Sequence, residues 1–502
     1  MARVTHPSTG SDRRPSTGSG QRFDLAVIGT GSGNSIVDER FAGRRVAFLE
    51  KGTFGGTCLN VGCIPTKMFV HPADVITEAA HAQRLGLELG VDEAVASGRL
   101  REAFGDVRDR IFRRIDPISV AGRNWRAERN ADVTLFEGHA RFTGPRELDT
   151  GTGERITADQ VVIAAGSRAV IPDIPGLEGA PCGRVHTSDT VMRIDAAPRR
   201  LVILGGGFVA AEFAHVFGSF GSQVTVVNRS GALLRREDAD VSARFTELAR
   251  RQWDVRLDTE VLRVEHPRED PADPGGPDDH LLVHLSTGER READLLLVAT
   301  GRRSNADGLD LHHAGIEVDD DGLVAVDAHQ HTTADGVWAL GDVSNPYQLK
   351  HVSNHEARVV RHNLLHPDDP VAADHRFVPS AVFSSPQVAS VGVTEEEARD
   401  RGLRFVTSRQ AYGDTAYGWA LEDNTSFAKL LADPDTGLLL GAHLLGPQAA
   451  TLIQPLVQAM AAGHTAAQLA RGQYWIHPAL TEVVENALLG LPTGQPATAT
   501  PG

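Results

Sequence analysis

Residues 23–36 read FDLAVIGTGSGNSI, an apolar run that leads directly into a glycine-rich turn. The apolar run is short and continuous, which predicts a buried strand. Gly29, Gly31 and Gly33 then allow a tight turn into a helix, and the backbone N–H groups there can approach a pyrophosphate. The stretch departs from the usual pattern at Asn34, where a third glycine is typical, so the packing of the helix is expected to differ at that point.

A carboxylate follows at the distance that a dinucleotide-binding fold requires. The segment RRVAFLEKG, residues 44–52, predicts a second buried strand that ends at Glu50. In this fold an acid about 20 residues after the glycine turn hydrogen-bonds the ribose hydroxyls. Strand, turn and acid together favour a nucleotide site over a glycine-rich turn without a ligand.

The same pattern recurs in the middle of the chain. Residues 199–214 read RRLVILGGGFVAAEFA, a strand followed by Gly205 and Gly207, with the small Ala210 in the third position. This predicts a second dinucleotide-binding fold. An enzyme that holds both a flavin and a nicotinamide can pass a hydride between them, so the two motifs together indicate an oxidoreductase.

The strand after the second motif indicates which nucleotide binds there. SQVTVVNRS, residues 222–230, ends at Asn228 and Arg229 without a carboxylate, and Arg235 follows one loop later. An acid at this point would repel a 2′-phosphate, whereas arginine attracts one. We therefore predict NADPH rather than NADH. The competing interpretation is that these are solvated surface arginines, the usual situation for that residue.

Composition narrows the class of protein. The chain has 502 residues, enough for several domains, and a formal net charge of −16. That charge argues against a basic surface for nucleic acid. The sequence contains no continuous run of about 18 apolar residues, so we expect no membrane-spanning helix. The N-terminal segment lacks the apolar core of a secretory signal, so we expect a cytoplasmic protein.

Two of the three cysteines lie close together in TFGGTCLNVGCIPTK, residues 53–67. A structural zinc site needs four ligands, and no second cysteine pair completes one, because Cys182 stands alone. Two inert buried thiols are the alternative, but the glycine-rich flank and the neighbouring nucleotide site argue against it. In a redox-active pair one thiolate attacks the substrate and the other thiol receives electrons. We therefore predict no metal site and a redox role for Cys58 and Cys63.

The segment GGTCLNVGCIPTK resembles the active-site signature of the flavin-dependent pyridine nucleotide-disulfide oxidoreductases, and the resemblance extends over residues 23–490. It implies an α/β fold with two Rossmann-like dinucleotide-binding domains and a C-terminal α+β dimerisation domain. The implied cofactors are FAD and NADPH. By this resemblance Cys58 attacks the substrate disulfide and Cys63 is the thiolate that faces the flavin. Lys67 matches the lysine beside the flavin, and Glu212 matches its ion-pair partner.

Other marks of the family imply further cofactor contacts. Thr57 lies inside the signature, and VVIAAGSR, which ends a strand at Gly166, resembles the segment beside the adenosine of FAD. GVWALGDV, residues 336–343, resembles the family's Gly-Asp motif, in which Asp342 binds a ribityl hydroxyl. DLLLVATGRRSN, residues 294–305, resembles the motif that returns the chain to the first nucleotide domain.

The acid–base residue is expected from the end of the chain. In YWIHPALTEVVENALLG, residues 474–490, His477 precedes Pro478, a favoured first-turn residue, and Glu482 follows. These positions match the family's terminal His-Pro box, in which the histidine protonates the leaving thiolate and the glutamate orients it. A histidine that caps a surface turn is the alternative. The resemblance also implies that this box serves the other subunit, so a homodimer is expected.

These motifs divide the chain into predicted domains. They are a disordered tail at 1–21, an FAD-binding domain at 22–169 and 291–372, an NADP-binding domain at 170–290, an interface domain at 373–490 and a flexible tail at 491–502.

The substrate is expected to be a small-molecule thiol disulfide. By register from Gly29, Glu39 takes the position where glutathione reductases carry an arginine that grips a glutathione carboxylate. A carboxylate there would repel glutathione but tolerate a neutral, hydroxyl-rich sugar. Three stretches of the chain also resemble the family members that reduce mycothiol disulfide, which is therefore the predicted substrate. Glu39 could instead pair with Arg40 or Arg44 on a solvated face.

Two alternatives remain open. Dihydrolipoamide dehydrogenase is the first, although it normally carries an acid where this chain has Asn228 and Arg229. The second is a flavoprotein transhydrogenase or sensor without disulfide chemistry, and the intact pair of Cys58 and Cys63 argues against it.

Overall fold

The computed structural model describes residues 20–177, 183–266 and 280–492. Most of the two predicted tails, together with Cys182, therefore lies outside the described residues. The first strand already begins at Gln21, the last residue assigned to the N-terminal tail, where it pairs with Ile156.

Strands occur throughout the described chain. The first group comprises β1 (Gln21–Ile28), β2 (Val46–Leu49), β3 (Val133–Phe136), β4 (Arg141–Gly144), β5 (Glu147–Asp149), β6 (Arg155–Ile163) and β7 (Ser167–Ala169). The second comprises β8 (Val185–Thr187), β9 (Arg200–Leu204), β10 (Gln223–Val227), β11 (Asp254–Arg256), β12 (Val261–Glu265), β13 (Leu281–Leu285), β14 (Arg290–Ala293), β15 (Leu295–Val298) and β16 (Arg302–Ser304). The third comprises β17 (Val337–Ala339), β18 (Ser380–Val382), β19 (Val388–Gly392), β20 (Val406–Ala411), β21 (Phe427–Ala432) and β22 (Leu439–Leu445).

Helices alternate with these strands. The first group comprises α1 (Gly56–Asn60), α2 (Cys63–Ala80), α3 (Val91–Ala96), α4 (Arg99–Asn124), α5 (Ser188–Val191), α6 (Phe208–Ser219) and α7 (Ala239–Gln252). The second comprises α8 (Lys350–Leu365), α9 (Glu395–Asp400), α10 (Ala416–Leu421), α11 (Ala449–Leu452), α12 (Gln454–Ala462), α13 (Ala466–Arg471) and α14 (Thr481–Leu489). Within the described residues, no helix combines the length and the apolar character that a membrane crossing requires.

The first sheet aligns four predicted nucleotide-site residues along one edge. β1 pairs in parallel with β2 and with β6, and β17, from much later in the chain, also pairs in parallel with β6. Parallel strands end at the same edge of a sheet. The carboxyl edge of this sheet therefore gathers the residues that closely follow the strands, which are Gly29, Glu50, Gly166 and Asp342. Open α/β sheets bind ligands at this edge.

The second sheet repeats this arrangement with the order β11-β10-β9-β15-β8, all in parallel. Gly205 follows β9, and Asn228 follows β10 at the same edge. α6 begins directly after Gly207 and is a regular helix, as expected from its alanines, which have a high helix propensity.

The C-terminal sheet is antiparallel, with the order β18-β19-β22-β21-β20. One face packs against the last four helices through a core that includes Leu430, Leu444, Leu456 and Val483, all fully buried. Two parallel sheets and this α+β unit confirm the predicted fold class.

One local prediction is wrong. The sequence predicts a helix after the first glycine motif, but only two 3₁₀ turns form there, Gly33–Ser35 and Glu39–Phe41. Residues 31–35 are glycine, serine and asparagine, which favour turns over helices. The Ser35 hydroxyl donates to the Ser32 carbonyl (2.7 Å), a local bond of the kind that competes with helix formation.

The cysteine-bearing helix is anchored by an aromatic stack. Phe69 on α2 lies 4.8 Å, centroid to centroid, from Phe104 on α4, and Phe104 lies 5.3 Å from Phe217 on α6. All three rings are fully buried. The helix that starts at Cys63 is therefore packed directly against the helix of the second glycine motif.

The backbone conformation of the second glycine motif can be tested by substitution. Gly205 has φ +128°, and a Cβ there would lie 2.2 Å from the carbonyl oxygen of Ala299, whereas a Cβ at Gly207 would meet no atom within 4 Å. We expect Gly205→Ala to lower the urea midpoint by the equivalent of about 1–3 kcal/mol, because the backbone is strained and the clash is with main chain. Gly207→Ala is the matched control, expected to cost less than about 1 kcal/mol. Equal midpoints for the two variants would contradict this account.

Candidate active site

A cleft of about 2010 Å³ lies at the carboxyl edges of the two parallel sheets. It is lined by most of the site residues that the sequence predicts: Gly29, Gly31, Glu50, Thr57, Cys58, Cys63, Lys67, Gly166, Gly205, Gly207, Glu212, Arg229, Arg235 and Asp342. Gly33 is buried behind it, where a Cβ would come within 2.9 Å of Val27 and Ala164, so it serves close packing rather than ligand contact.

Cys58 and Cys63 lie in contact within this cleft. Cys58 is in α1 and Cys63 is the first residue of α2. The pKa of the Cys63 thiol is lowered to about 7, first by the hydrogen bond that the Cys58 thiol donates and then by the charges of Lys67 and Lys350, against the opposing effect of burial. The same contact, together with burial, raises the pKa of Cys58. The thiolate of the pair therefore forms on Cys63 as the pH rises through neutrality, while Cys58 keeps its proton.

Lys67 is held by a buried ion pair. Its Nζ lies 2.6 Å from both carboxylate oxygens of Glu212, which is only 3% exposed on α6. Glu212 Oε1 also accepts a hydrogen bond from the backbone N–H of Phe383 (3.0 Å), and the Lys67 ammonium lies 4.7 Å from the centre of the Phe383 ring. These contacts join the cysteine helix, the second nucleotide motif and the entry to the C-terminal sheet.

Glu50 is oriented by the first glycine turn. Its Oε2 accepts hydrogen bonds from the backbone N–H (2.8 Å) and the hydroxyl (2.7 Å) of Thr30, and its Oε1 accepts one from Gly52 N–H (2.8 Å). Oε1, which accepts a single hydrogen bond, keeps capacity to accept another. This arrangement fits the ribose of a dinucleotide bound at the turn.

Two glycines bring the cysteine box against that turn. A Cβ on Gly56, the first residue of α1, would lie 2.6 Å from the Cα of Gly31. Gly56 also has φ +67°, in the left-handed region that favours glycine. The predicted pyrophosphate turn and Cys58 are therefore held side by side.

Asp342 is positioned by residues that the sequence analysis missed. Its Oδ2 accepts a hydrogen bond from the Ser167 hydroxyl (2.6 Å), which in turn accepts one from Arg302 Nε (2.9 Å). The turn that carries Asp342 is held by Glu356, fully buried, whose Oε2 accepts the backbone N–H of Gly341 (2.7 Å). No local spacing could have revealed these contacts, because the partners lie 15 to 175 positions apart.

The second nucleotide motif ends in an organised loop. The Asn228 amide donates to the carbonyl of Ser230 (3.1 Å) and of Ala232 (2.9 Å), so it shapes the loop while it also lines the cleft. Arg229 and Arg235 are exposed and line the cleft. Within the described ranges, neither arginine has a carboxylate in an ion pair, so both charges suit a bound phosphate.

His477 contacts Glu482, as expected, but it lies outside the cleft that holds the cysteines. Its Nδ1 is 2.7 Å from Glu482 Oε1, and its side chain is 69% exposed. Neither residue lines the cleft that holds the cysteines of the same chain. The neighbouring Tyr474 and Ile476 are also strongly exposed. One chain by itself therefore does not bring His477 to Cys58.

Lys350 is a further residue that the sequence analysis did not single out. It lines the cleft, its Nζ donates to the Ser32 hydroxyl (2.8 Å), and its charge lowers the pKa of both cysteine thiols. The chain has only four lysines, and that scarcity is the signal that could have drawn attention to it.

Comparison with protein families agrees with this geometry. The family model described as "Pyridine nucleotide-disulphide oxidoreductase" matches residues 23–357. The model of the same family's dimerisation domain matches residues 378–488. The chain belongs to this family.

Individual relatives cover nearly the whole chain. Mycothione reductase of Mycobacterium tuberculosis strain H37Rv is 52% identical over 94% of this chain and 100% of its own length. Glutathione reductase of Burkholderia cepacia, a second member, is 32% identical over 92% of this chain and 97% of its own. Among solved structures, the HOCl-induced flavoprotein disulfide reductase RclA from Escherichia coli superposes with a TM-score of 0.79 at 28% identity, over 93% of this chain and 99% of that one.

The cysteine pair predicts a pH dependence. With the Cys63 pKa lowered to about 7, alkylation of Cys63 in the reduced protein should rise with pH around that value, because only the thiolate reacts. Cys58→Ala removes the donated hydrogen bond and should move the midpoint up toward about 8.5, the ordinary value. Rates are followed by mass spectrometry of the Cys63 peptide after iodoacetamide, in a Cys182→Ser background. An unchanged midpoint in Cys58→Ala would contradict the assignment.

Proposed function

We propose that this protein is an NADPH-dependent flavoprotein disulfide reductase that reduces mycothiol disulfide to mycothiol. The observation that carries the reaction class is the Cys58–Cys63 pair, held as one thiolate and one thiol in a cleft shared by two nucleotide motifs. The choice of substrate is supported by 52% identity to mycothione reductase, against 32% to glutathione reductase.

The residues of the cleft fit the two cofactors. Gly29, Gly31, Glu50, Thr57, Lys67, Gly166 and Asp342 would hold FAD, and Gly205, Gly207, Arg229 and Arg235 would hold NADPH. Bound FAD supplies a two-electron carrier between the nicotinamide and a disulfide.

The chain's own residues carry the thiol exchange. In the reduced protein the Cys58 thiol gives its proton to His477 of the partner subunit, which is oriented by the partner's Glu482, and the Cys58 sulfur attacks one sulfur of the substrate. This breaks the substrate disulfide and forms a mixed disulfide, and His477 of the partner subunit passes the proton to the thiolate that leaves. The Cys63 thiolate then attacks the Cys58 sulfur, which closes the Cys58–Cys63 disulfide and releases the second half of the substrate as a thiolate that takes a proton from solvent. Two electrons pass from the dithiol to the substrate, and NADPH restores them.

Lys67 and Glu212 have a supporting role. The Lys67 ammonium, fixed by Glu212, favours negative charge on Cys63 throughout this cycle. Because Glu212 is buried, the pair keeps that charge in one place.

Glu39 is available to influence the substrate. It is exposed, and Arg40 donates to Asp38 instead (3.0 Å), while the Arg44 guanidinium lies 5.4 Å from the centre of the Phe41 ring. Glu39 does not line the cleft of its own chain. We propose that its negative charge disfavours an anionic glutathione arm at the surface and is compatible with the neutral sugar of mycothiol. Dihydrolipoamide dehydrogenase, at 33% identity to the enzyme of Haloferax volcanii, is the less supported alternative.

The oligomeric state, the domain division and the location of the protein complete the proposal. We propose a homodimer in the cytoplasm, with the domain division at 22–169 plus 291–372, 170–290 and 373–490, and with no nucleic-acid or membrane partner. The match to a dimerisation domain supports the dimer, and the exposed Tyr474 and Ile476 beside His477 are suited to lie against a second subunit.

Substrate choice is tested by NADPH oxidation with mycothiol disulfide, oxidised glutathione, lipoamide and cystine in parallel. We expect kcat/KM for mycothiol disulfide to exceed the others by at least about 100-fold, because a site built to hydrogen-bond one substrate's polar groups rejects an analogue that lacks them by up to about 10⁴–10⁵. NADH in place of NADPH is the cofactor control and should be the poorer donor. Highest activity with lipoamide and NADH would support the alternative instead.

The shared site is tested by mixing subunits. His477→Ala and Cys58→Ala homodimers should each be inactive, while mixed dimers regain one intact site of two. Equal mixing should then give about a quarter of the parental activity per subunit, the statistical share for a two-fold dimer. A mixture of each variant with itself, unfolded and reassembled identically, is the control. No recovered activity in confirmed mixed dimers would place Cys58 and His477 of one chain in the same site.

A further inference from the structure

The first glycine turn lacks the α-helix that usually follows it in a dinucleotide-binding fold. The chain forms a 3₁₀ turn of three residues there, Gly33–Ser35. In this fold the pyrophosphate lies at the N-terminus of an α-helix, whose aligned peptide groups supply about half a positive charge. A single 3₁₀ turn has too few aligned peptide groups to do the same. The turn therefore needs another source of positive charge if it is to bind a pyrophosphate.

Two arginines bond the carbonyl groups that a helix would have satisfied internally. Arg126 Nη2 donates to the carbonyl of Asn34 (3.1 Å). Arg361 Nη1, on α8, donates to the carbonyl of Ser35 (3.3 Å) and to Asp38 Oδ2 (3.2 Å). Neither arginine is among the described residues that line the cleft. They hold the segment in place from outside, and their charges do not face a ligand on the turn.

Lys350 reaches the same segment from the side of the cleft. It is the first residue of α8 and is half-buried, and its Nζ donates to the Ser32 hydroxyl (2.8 Å). Both residues line the cleft. Among the residues that the structure describes, no carboxylate forms an ion pair with this ammonium, which has further N–H groups to donate. Its charge is therefore available to a ligand that lies on the turn.

The turn also presents successive backbone donors. Across the described chain, the backbone N–H groups of Gly31 and Ser32 donate to no main-chain acceptor. The Glu50 carboxylate accepts from Thr30 and Gly52 instead. Successive N–H groups in a turn form a concavity that binds anions. Backbone donors and the ammonium of Lys350 thus meet at Ser32.

We propose that Lys350 is a binding residue for FAD, whose pyrophosphate its ammonium compensates in place of the missing helix N-terminus. The inference rests on the proposed function, since it takes FAD as the group bound at the first glycine turn. A phosphate oxygen accepts a charge-assisted hydrogen bond from lysine, which is roughly twice as strong as a neutral one. Glu50 and Asp342 line the same cleft, so their negative charges increase the need for a cation beside an anionic ligand.

The test is the rate at which FAD leaves the purified holoenzyme, followed as the rise of flavin fluorescence after dilution into FAD-free buffer. Lys350→Gln keeps a donor for Ser32 but removes the charge. We expect release to become about 10- to 100-fold faster, the effect of losing one hydrogen bond to a charged group. Lys350→Arg keeps the charge and should release FAD at nearly the parental rate. An unchanged rate in Lys350→Gln, or an equally fast rate in Lys350→Arg, overturns the proposal.

A structural role for Lys350 is tested against Arg361→Gln, which removes bonds to the same segment but no charge that lines the cleft. Amide hydrogen exchange of residues 31–38 is measured on the holoenzymes with FAD in excess. We expect faster exchange in Arg361→Gln and parental exchange in Lys350→Gln, because the lysine acts on the cofactor and not on the fold of the turn. Equally fast exchange in both variants would make Lys350 a structural residue and overturn the proposal.

A net-charge effect is tested with Lys51→Gln. This lysine also lines the cleft, but its charge acts on His139 and Asp307, so FAD release should stay at the parental rate. An acceleration equal to that of Lys350→Gln would overturn the proposal. A holoenzyme that holds FAD but does not reduce mycothiol disulfide would refute the proposed function and leave these release rates as predicted.

Discussion

The buried ion pair of Lys67 and Glu212 is the interaction on which the site depends. Glu212 is 3% exposed and accepts hydrogen bonds from the Lys67 ammonium and from the backbone of Phe383. A carboxylate so far from water must keep its partners, because a buried charge left without them is strongly destabilising. The cysteine helix, the helix of the second nucleotide motif and the C-terminal sheet are thus held in one arrangement by a single charged group.

That arrangement concentrates positive charge in an acidic protein. The chain carries a formal net charge of −16, yet Lys67, Lys350, Arg229 and Arg235 all line one cleft. Dinucleotides and a thiolate are all anionic, so a local excess of cations stabilises them where the average surface would not. His477, the proposed acid–base residue, does not line this cleft and its side chain is exposed, which is why we propose that a second subunit completes the site.

Much of this protein could be predicted from the sequence, because its chemistry resides in short motifs. Strand and glycine turn lie within a few residues of one another, and in the first motif Glu50 follows within about 20 residues, which is why both parallel sheets could be anticipated. The cysteine box and the pairing of His477 with Glu482 are equally local, and the 2.7 Å contact between those two side chains forms as expected. The family and its fold follow from the same motifs.

Tertiary structure decided what the motifs leave open. Two departures from the motifs were local: the helix expected after the first glycine turn gave way to hydrogen bonds such as that of Ser35 to Ser32, and Asn228 shapes its own loop. The long-range contacts were set by the tertiary structure alone. Ser167 reaches Asp342, Arg302 reaches Ser167, and Lys350 reaches Ser32 only because the fold brings together segments more than 100 residues apart. The sequence by itself determined which chemical groups are present and their local backbone. The charge balance around the two sulfurs was set by the fold, because electrostatic energy depends on distance in space and not on separation along the chain.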